Sequence, residues 1–477
     1  MSNILKSSAT RLCVNPEWRL RPGEGRAILY RNSTEELIWR AVPPVMGFAL
    51  SFFDGYSTLA EIGNRLGEAL GDEAKARDML GCCIKNFYRN EDDTLIEPEK
   101  VADGDWYVYD PGVILSVAGG FSGEKRLEAP ISMVLMPFNQ CAVDCVYCYA
   151  ERKPIAKRDV MSIGRWREII AEAAGAGISI ATFSGGDPMI YPDIMALLDL
   201  LIAHDFEFVV STKSAISAEQ AKRLSEMGYG KRFFQISLDG TSDTTTEAML
   251  RRPRYYRSAI QSIRHLLAEG IRVQTNTVCT PRNYREVPGL VEKLAQMGVS
   301  RCLVTGYGRS MYRHDDAMFL DDDMLAWLGD RVDAVKKRYA DTELRFNATR
   351  LDYNEIEPEQ KKLRWENRSG CSGGRSSVTI CADGRVLLCE QMPHEDQYTA
   401  GNLKQQGLLE IWNSERMMQL AYPARESFEG GACFDCDAFD ECMREKGYCF
   451  RDSLNAFGNA FRPAPGCPRA PKSPRFS

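Results

Sequence analysis

Cys141-Ala142-Val143-Asp144-Cys145-Val146-Tyr147-Cys148 comes directly after Ile131–Phe138, an apolar run that reads as a strand. Thiols at this CxxxCxxC spacing can wrap one corner of a 4Fe–4S cube, each binding a different iron. Cys141, Cys145 and Cys148 would leave one iron of such a cube without a protein ligand, open to a small chelating molecule. A structural zinc ion wants a closed shell of protein ligands, and no nearby His or Cys completes one here.

Outward from this loop, strand and helix patterns alternate over residues 129–345. Apolar strands read at Ile131–Phe138, Ile178–Phe183, Phe206–Val210, Phe233–Ser237, Val273–Val278 and Cys302–Thr305. Between them, Ser217-x-x-Gln220 opens one helix as a capping box, and Ile260, Ile263, Leu266 and Leu267 share one face of another. Repeated βα units imply a parallel sheet. Six units are too few for an eight-stranded barrel, so the expected fold class is α/β with a partial (β/α)6 barrel. Chemistry in such folds sits at the C-terminal strand ends. Polar residues gather there: Ser184-Gly185-Gly186-Asp187-Pro188, Ser211-Thr212-Lys213, Ser237-Leu238-Asp239-Gly240 and Asn276.

Composition narrows the class further. The chain has 477 residues and a net charge of −6 with both signs well mixed, which argues against nucleic acid as the main partner. The N-terminal stretch lacks the apolar core of a secretory signal, and no run of about twenty apolar residues would span a membrane, so a cytoplasmic protein is expected. Sixteen cysteines in a reducing compartment point to metal rather than disulfides. Eleven of them lie in two groups, one near residue 145 and one from Cys371 to Cys467, with no His at ligand spacing inside either. Cys13, Cys82, Cys83, Cys279 and Cys302 read as buried apolar thiols instead.

The second block resembles the radical S-adenosylmethionine (SAM) superfamily. The resemblance implies that Cys141, Cys145 and Cys148 hold a 4Fe–4S cluster whose open iron chelates SAM. Reductive cleavage of SAM would then release a 5′-deoxyadenosyl radical. Tyr147 resembles the aromatic residue near the adenine, and Gly185-Gly186-Asp187 resembles the family's GGE motif for the SAM amino group, with Asp in place of the commoner Glu. Thr212, Lys213, Ser237, Asp239 and Asn276 resemble positions that line the carboxylate and ribose. Arg251 or Arg252 is expected to pair with the SAM carboxylate. Nothing in the sequence singles out a general base.

The third block reads Cys371-x12-Gly384-x4-Cys389, then Cys433-x2-Cys436-x5-Cys442-x6-Cys449, then Cys467, with Cys381 inside the first gap. It resembles the SPASM domain, which binds two auxiliary 4Fe–4S clusters, except that the x6 gap is usually x3. The resemblance implies Cys371, Cys381, Cys389 and Cys449 on the first auxiliary cluster and Cys433, Cys436, Cys442 and Cys467 on the second. If Cys381 is not a ligand, the first cluster keeps an open iron that a substrate thiolate could occupy. Taken by spacing alone, the same cysteines could hold a pair of four-cysteine zinc sites. The Pro-rich tail beyond Cys467 is expected to be mobile.

The first block, 1–105, shows a hairpin about Pro22–Gly25, a helix near Val45–Phe53 ended by Asp54-Gly55, a capping box Thr58-x-x-Glu61, and a helix burying Leu80, Cys83, Ile84 and Phe87. Its element order, and the segment Phe48–Ile62, resemble winged-helix-like, PqqD-like peptide-recognition elements of peptide maturases. A linker at 106–128, a bridge at 346–370 and a SPASM domain over 371–477 complete the expected organisation.

The resemblance implies an enzyme with three 4Fe–4S clusters that oxidatively modifies a ribosomally made precursor peptide carrying a leader, by a carbon–carbon or thioether cross-link. Reduced flavodoxin or ferredoxin would be the electron donor. Two alternatives stand beside it: Cys or Ser oxidation in a protein client, as in anaerobic sulfatase maturases, and a non-catalytic metal-binding scaffold or electron carrier.

Overall fold

The computed structural model describes residues 9–89, 91–102, 104–115, 125–151, 155–348 and 352–474. It separates into two compact units, Met1–Ile131 and Ser132–Ser477.

The first unit holds two three-stranded sheets. One is ordered β5 (Asp54–Thr58), β1 (Arg11–Val14), β6 (Leu95–Ile96); the other is a meander of β2 (Trp18–Gly23), β3 (Arg26–Arg31) and β4 (Trp39–Val42). The expected hairpin is β2–β3, turned at Gly25 with φ +63°. Strands β1, β4, β5 and β6 escape a sequence reading because each is short and none alternates cleanly.

Three helices follow the expected pattern: α1 (Pro44–Leu50), α2 (Leu59–Leu70) and α3 (Glu73–Phe87). Thr58 and Glu61 form a reciprocal capping box on α2. Leu80, Cys83, Ile84 and Phe87 of α3 are buried in a core with Trp18, Phe48, Phe53 and Leu66. After α1 the chain turns at Gly55, where a Cβ would lie 2.5 Å from the Trp106 ring.

The stretch expected to be a linker is packed into this unit where it is described. Trp106 donates to Asp54 O at 2.7 Å, the Tyr109 hydroxyl accepts Leu20 N–H at 3.2 Å, and buried Arg26 reaches Glu128 at 2.8 Å. Residues 116–124 of it lie outside the described residues, as do residues 1–8 of the N-terminal stretch.

The second unit is built on a ten-stranded sheet. Its strands are β7 (Ser132–Leu135), β8 (Ile180–Phe183), β9 (Glu207–Thr212), β10 (Phe233–Ser237), β11 (Arg272–Cys279), β12 (Arg301–Gly306), β13 (Glu343–Asn347), β14 (Ser377–Ile380), β15 (Arg385–Leu387) and β16 (Gly401–Asn402). The order is β13-β12-β11-β10-β9-β8-β7-β14-β15-β16, parallel from β13 to β14 and antiparallel beyond.

All six expected strands are present, and two more parallel strands extend the row. Strand β13 was hidden by its polar ends, since only Leu344 is fully buried. Strand β14 belongs to the cysteine-rich block yet pairs with the first barrel strand, so Ser377–Ile380 is buried throughout. The parallel sheet is thus continuous with the C-terminal block through this pairing.

Helices between the strands bury one apolar face each. Ile163–Gly175 buries Trp166, Ile169, Ile170 and Ala173, and Tyr255–Ala268 buries Ile260, Ile263 and Leu266. Each Ile or Leu buried this way contributes about 1.5–3 kcal/mol. Ser217 and Gln220 form the capping box read from sequence.

The tail is held rather than mobile through residue 474. Ser473 is 1 % exposed and exchanges two hydrogen bonds with Asn354, at 2.9 and 3.0 Å. Its hydroxyl also donates to Ala456 O at 3.1 Å. Residues 475–477 lie outside the described ones. Among the described residues no helix is long and apolar enough to cross a membrane.

Candidate active site

The cysteine loop leaves β7 and is threaded over the turn that follows β8. Gly186 N–H donates to Phe138 O at 3.0 Å, and Asp187 N–H donates to Gln140 O at 2.7 Å. A Cβ on Gly186 would fall 2.2 Å from Gln140 O, so only glycine lets the two backbones pass this closely. The loop is also stitched to the end of helix Asp243–Leu250, through Asp144 N–H to Leu250 O and Val146 N–H to Met249 O, both at 2.9 Å.

Arginines brace it. Arg252 donates to Ala142 O at 3.0 Å and Arg313 to Cys145 O at 2.8 Å. Arg251, expected to meet a SAM carboxylate, instead pairs with Asp144 at 2.9 Å and lies outside the main cavity. Its αL backbone, φ +51°, ends the helix and turns the side chain along the outside of the loop.

Cys141, Cys145 and Cys148 line a cavity of about 750 Å³. Gly185, Gly186, Asp187, Thr212, Lys213 and Ser237, at C-terminal strand ends, line it with Asn276 from within β11. Asp187 does not present a free carboxylate. It accepts Met189 N–H, Thr212 Oγ1–H, Lys213 N–H and Ser214 Oγ–H at 2.6–3.0 Å, which ties the ends of β8 and β9 together.

Asp239 lies behind the wall, fully buried, where it accepts the Tyr147 hydroxyl and the Val278 N–H. Burial pushes its carboxyl upward, against the pull of Lys213 and Tyr147. Burial and the Asp239 charge push the Tyr147 phenol up as well, so it stays a donor. Burial disfavours charge on Lys213, but Cys145, Asp239 and Asp187 around it prevail and hold the ammonium above its ordinary value. Its Nζ sits 5.7 Å from the centre of the Tyr147 ring.

The C-terminal cysteines fall into two sets. Cys433, Cys436, Cys442 and Cys467 act electrostatically on one another. Cys449 is influenced by Cys371, and Cys389 by Cys449. The long x6 gap is taken up by the end of helix Phe439–Glu445 and a turn at Gly447, φ +63°. Arg375 braces that turn through Met443 O and Arg444 O, and Cys371 N–H donates to Lys446 O at 2.8 Å. The detour therefore still returns Cys449 toward Cys371.

Cys381, expected beside them, is fully buried with Sγ 3.8 Å from His394 Nε2. It ends β14, and the pairing of that strand with β7 and β15 carries its side chain into the core.

Clustered thiols are the donor chemistry of iron–sulfur cubes: Cys141, Cys145 and Cys148 line one cavity, and Cys371 and Cys449 line a second.

Residues 135–294 match the model of the radical SAM superfamily, and residues 371–437 match that of an iron–sulfur cluster-binding domain, SPASM. The chain carries a radical SAM domain and a SPASM domain. It is an enzyme, and these domains imply iron–sulfur clusters and SAM as its cofactors.

Curated relatives include the mycofactocin maturase MftC of Mycobacterium tuberculosis, 26 % identical over 67 % of this chain and 78 % of that protein. The Fe-coproporphyrin III synthase of Methanosarcina barkeri is 24 % identical over 73 % and 89 %. The PqqA peptide cyclase of Xanthomonas oryzae is 25 % identical over 72 % and 88 %. Streptococcus suis SuiB, solved with SAM bound, shares the fold at a TM-score of 0.66, 17 % identity and coverage of 95 % of this chain and 99 % of SuiB.

The radical SAM domain does not wall its cavity alone. Tyr353, Gln391, Arg451, Asp452 and Asn455 of the C-terminal block line it too. Sequence reading passed over them, because their only signal was position: Gln391 follows Cys389, and Arg451, Asp452 and Asn455 follow Cys449 on helix Phe450–Phe457. Thr305, Tyr307 and Arg309, at and beyond the end of β12, were missed for want of a motif. Of the five cysteines expected to be buried apolar thiols, Cys13, Cys83, Cys279 and Cys302 are buried, and Cys82 is exposed.

Proposed function

We propose that the enzyme reductively cleaves SAM and oxidatively modifies a ribosomally made precursor peptide, installing a carbon–carbon or thioether cross-link. The observation that carries this reading is the shared cavity, lined both by Cys141, Cys145 and Cys148 and by Gln391 and Arg451, neighbours of the auxiliary cysteines. A substrate in that cavity would be within reach of the radical and of an electron acceptor. The name of the PqqA peptide cyclase supports a peptide substrate, and SuiB, which shares the fold, has been solved bound to its precursor peptide SuiA.

In this reading Cys141, Cys145 and Cys148 hold the SAM cluster, which when bound supplies one electron to the sulfonium and so the 5′-deoxyadenosyl radical. Tyr147, Gly185, Gly186, Thr212, Ser237 and Asn276 shape the SAM side of the cavity, and Lys213 offers its ammonium to the SAM carboxylate. Asp187 and Asp239 act from behind by holding Thr212, Lys213 and Tyr147 in place. Cys433, Cys436, Cys442 and Cys467 hold one auxiliary cluster, and Cys371, Cys389 and Cys449 contribute to the other, for three in all. Reduced flavodoxin or ferredoxin supplies electrons.

The N-terminal unit serves as a PqqD-like leader-binding module. Its meander ends in the edge strand β4, and an extended peptide can add to such an edge through backbone hydrogen bonds. Tethering the leader there raises the effective concentration of the core segment at the cavity.

The test uses a precursor peptide encoded beside the gene. Full-length enzyme with SAM and reductant should remove two hydrogens per cross-link, read by mass spectrometry. Removing residues 1–105 should abolish peptide modification while leaving slow SAM cleavage. Undiminished modification by the truncated enzyme would overturn the leader-binding role.

A further inference from the structure

We propose that Arg368 raises the reduction potential of the second auxiliary cluster, through a charge-assisted hydrogen bond to the Cys442 sulfur, and so makes that cluster easier to reduce than the first. The proposal rests on the reading above that Cys433, Cys436, Cys442 and Cys467 hold a 4Fe–4S cluster.

Arg368 lies just past helix Pro358–Glu366 and folds back over it, with its guanidinium carbon 3.7 Å from the centre of the Trp365 ring. Nη1 donates to Trp365 O at 2.7 Å. Nη2 donates to Gly447 O and to Cys442 Sγ, both at 3.1 Å. The backbone is held as firmly as the side chain: Lys446 Nζ donates to Glu366 O and Arg368 O at 3.0 and 2.8 Å. The guanidinium is thus fixed against a sulfur by contacts that do not themselves need the cluster.

Charge makes the contact matter. The hydrogen bonds of Arg368 go to two carbonyls and a thiol, and among the described residues no carboxylate pairs with it. Its positive charge is therefore left for the sulfur. Burial pushes the Cys442 thiol up, and the guanidiniums of Arg368 and Arg375 oppose that push.

The first cysteine set has no such neighbour. Arg451 acts on Cys389 and Cys449, but its guanidinium pairs with Asp452 at 3.0 Å, which offsets its charge. Arg375 acts on Cys371 as well as on Cys442, so it does not separate the two sets. The Arg368 hydrogen bond, made to the second set alone, does.

A one-electron reduction adds a negative charge to a cube. An unpaired cation that is also hydrogen-bonded to a ligand sulfur stabilises that more negative state, and the potential rises. Arg368 keeps its proton throughout and no bond is broken. It is a positioning residue, acting on the cluster through Cys442 and not on substrate.

The experiment titrates anaerobically reconstituted full-length proteins with dithionite and follows the reduced clusters by electron paramagnetic resonance. Wild type, Arg368→Gln and Arg368→Lys should each carry about twelve irons per chain. The signal lost in Cys467→Ala marks the second auxiliary cluster, and the signal lost in Cys371→Ala marks the first. In wild type the second should have the higher midpoint potential. That midpoint should shift down in Arg368→Gln and shift down less in Arg368→Lys, which keeps the charge, while the other two midpoints stay put. Arg368→Met, also neutral, repeats the measurement if Arg368→Gln binds less iron.

The proposal is overturned by a second midpoint below the first in wild type, by an unchanged second midpoint in the neutral variant, or by equal shifts in Arg368→Gln and Arg368→Lys. Loss of about four irons from both neutral variants overturns it too, since Arg368 would then only support the cluster. Wild type with only about four irons would instead overturn the auxiliary-cluster reading itself, and the proposal with it.

Discussion

The barrel and the cysteine-rich block beyond it fold on different terms. From β7 to β13, strands and helices alternate, and nearly every helix buries an apolar row such as Trp166, Ile169, Ile170 and Ala173. Three cysteines sit on one loop of that barrel, where Cys145 is buried and Cys148 packs against the core. Residues 423–467 contain short helices, turns and a small aromatic cluster, Phe428 against Phe439, Tyr448 and Phe461. There the cysteines sit on loops and short helices rather than on strands. On the proposed reading, the contrast teaches that one ligand type takes two roles in one chain: chemistry on a loop of a regular sheet, and added cohesion where regular elements are short.

The contrast can be broken experimentally. The largest effect should come from Cys145→Ala, which removes a barrel thiolate and abolishes 5′-deoxyadenosine formation with little change in thermal unfolding of the barrel. A collapse of the barrel in that variant would mean that its cluster is structural too.

Next in size, chelating all iron should strip hydrogen-exchange protection from residues 423–467 while β8–β12 stay protected. Equal loss in both regions would erase the distinction. Trp166→Ala should cost the barrel about 3–5 kcal/mol, with or without iron, measured by denaturant unfolding. A cost that appears only in the iron-loaded protein would contradict a self-sufficient barrel core.

Gly186→Ala tests where chemistry and fold meet. The clash with Gln140 should cost about 1–3 kcal/mol and weaken SAM binding by calorimetry, more than its effect on unfolding alone accounts for. The smallest effect, about 1 kcal/mol, is expected for Ser217→Ala, which removes a helix cap far from every cysteine and should leave cluster content unchanged.

Legibility followed the same division. The barrel strands, the capping boxes at Thr58 and Ser217 and the buried face of α3 were readable because local pattern and tertiary packing agree there. The cysteine loop and the Ser184–Pro188 turn were readable because their chemistry demands particular residues at particular spacings. Cys381 marks where spacing stops being informative: spacing records how far apart thiols lie along the chain, not which way a strand turns them, and this thiol is enclosed beside His394. The pairing of β14 with β7 decides that direction, and it is a contact between segments more than two hundred residues apart in sequence. Arg251 departs similarly, since Asp144 competes for its guanidinium from the loop it was expected to overlook. Tyr353 and Arg451 reach the cavity only through the packing of the C-terminal block.

The central claim, that Cys141, Cys145 and Cys148 make this chain a SAM-cleaving radical enzyme, is tested most directly by one assay. Anaerobically reconstituted full-length protein is incubated with SAM and dithionite, and 5′-deoxyadenosine is quantified against the Cys145→Ala variant. Product that accumulates with the wild type and disappears with the variant is the predicted result. Iron-replete wild type that yields no 5′-deoxyadenosine would contradict the account.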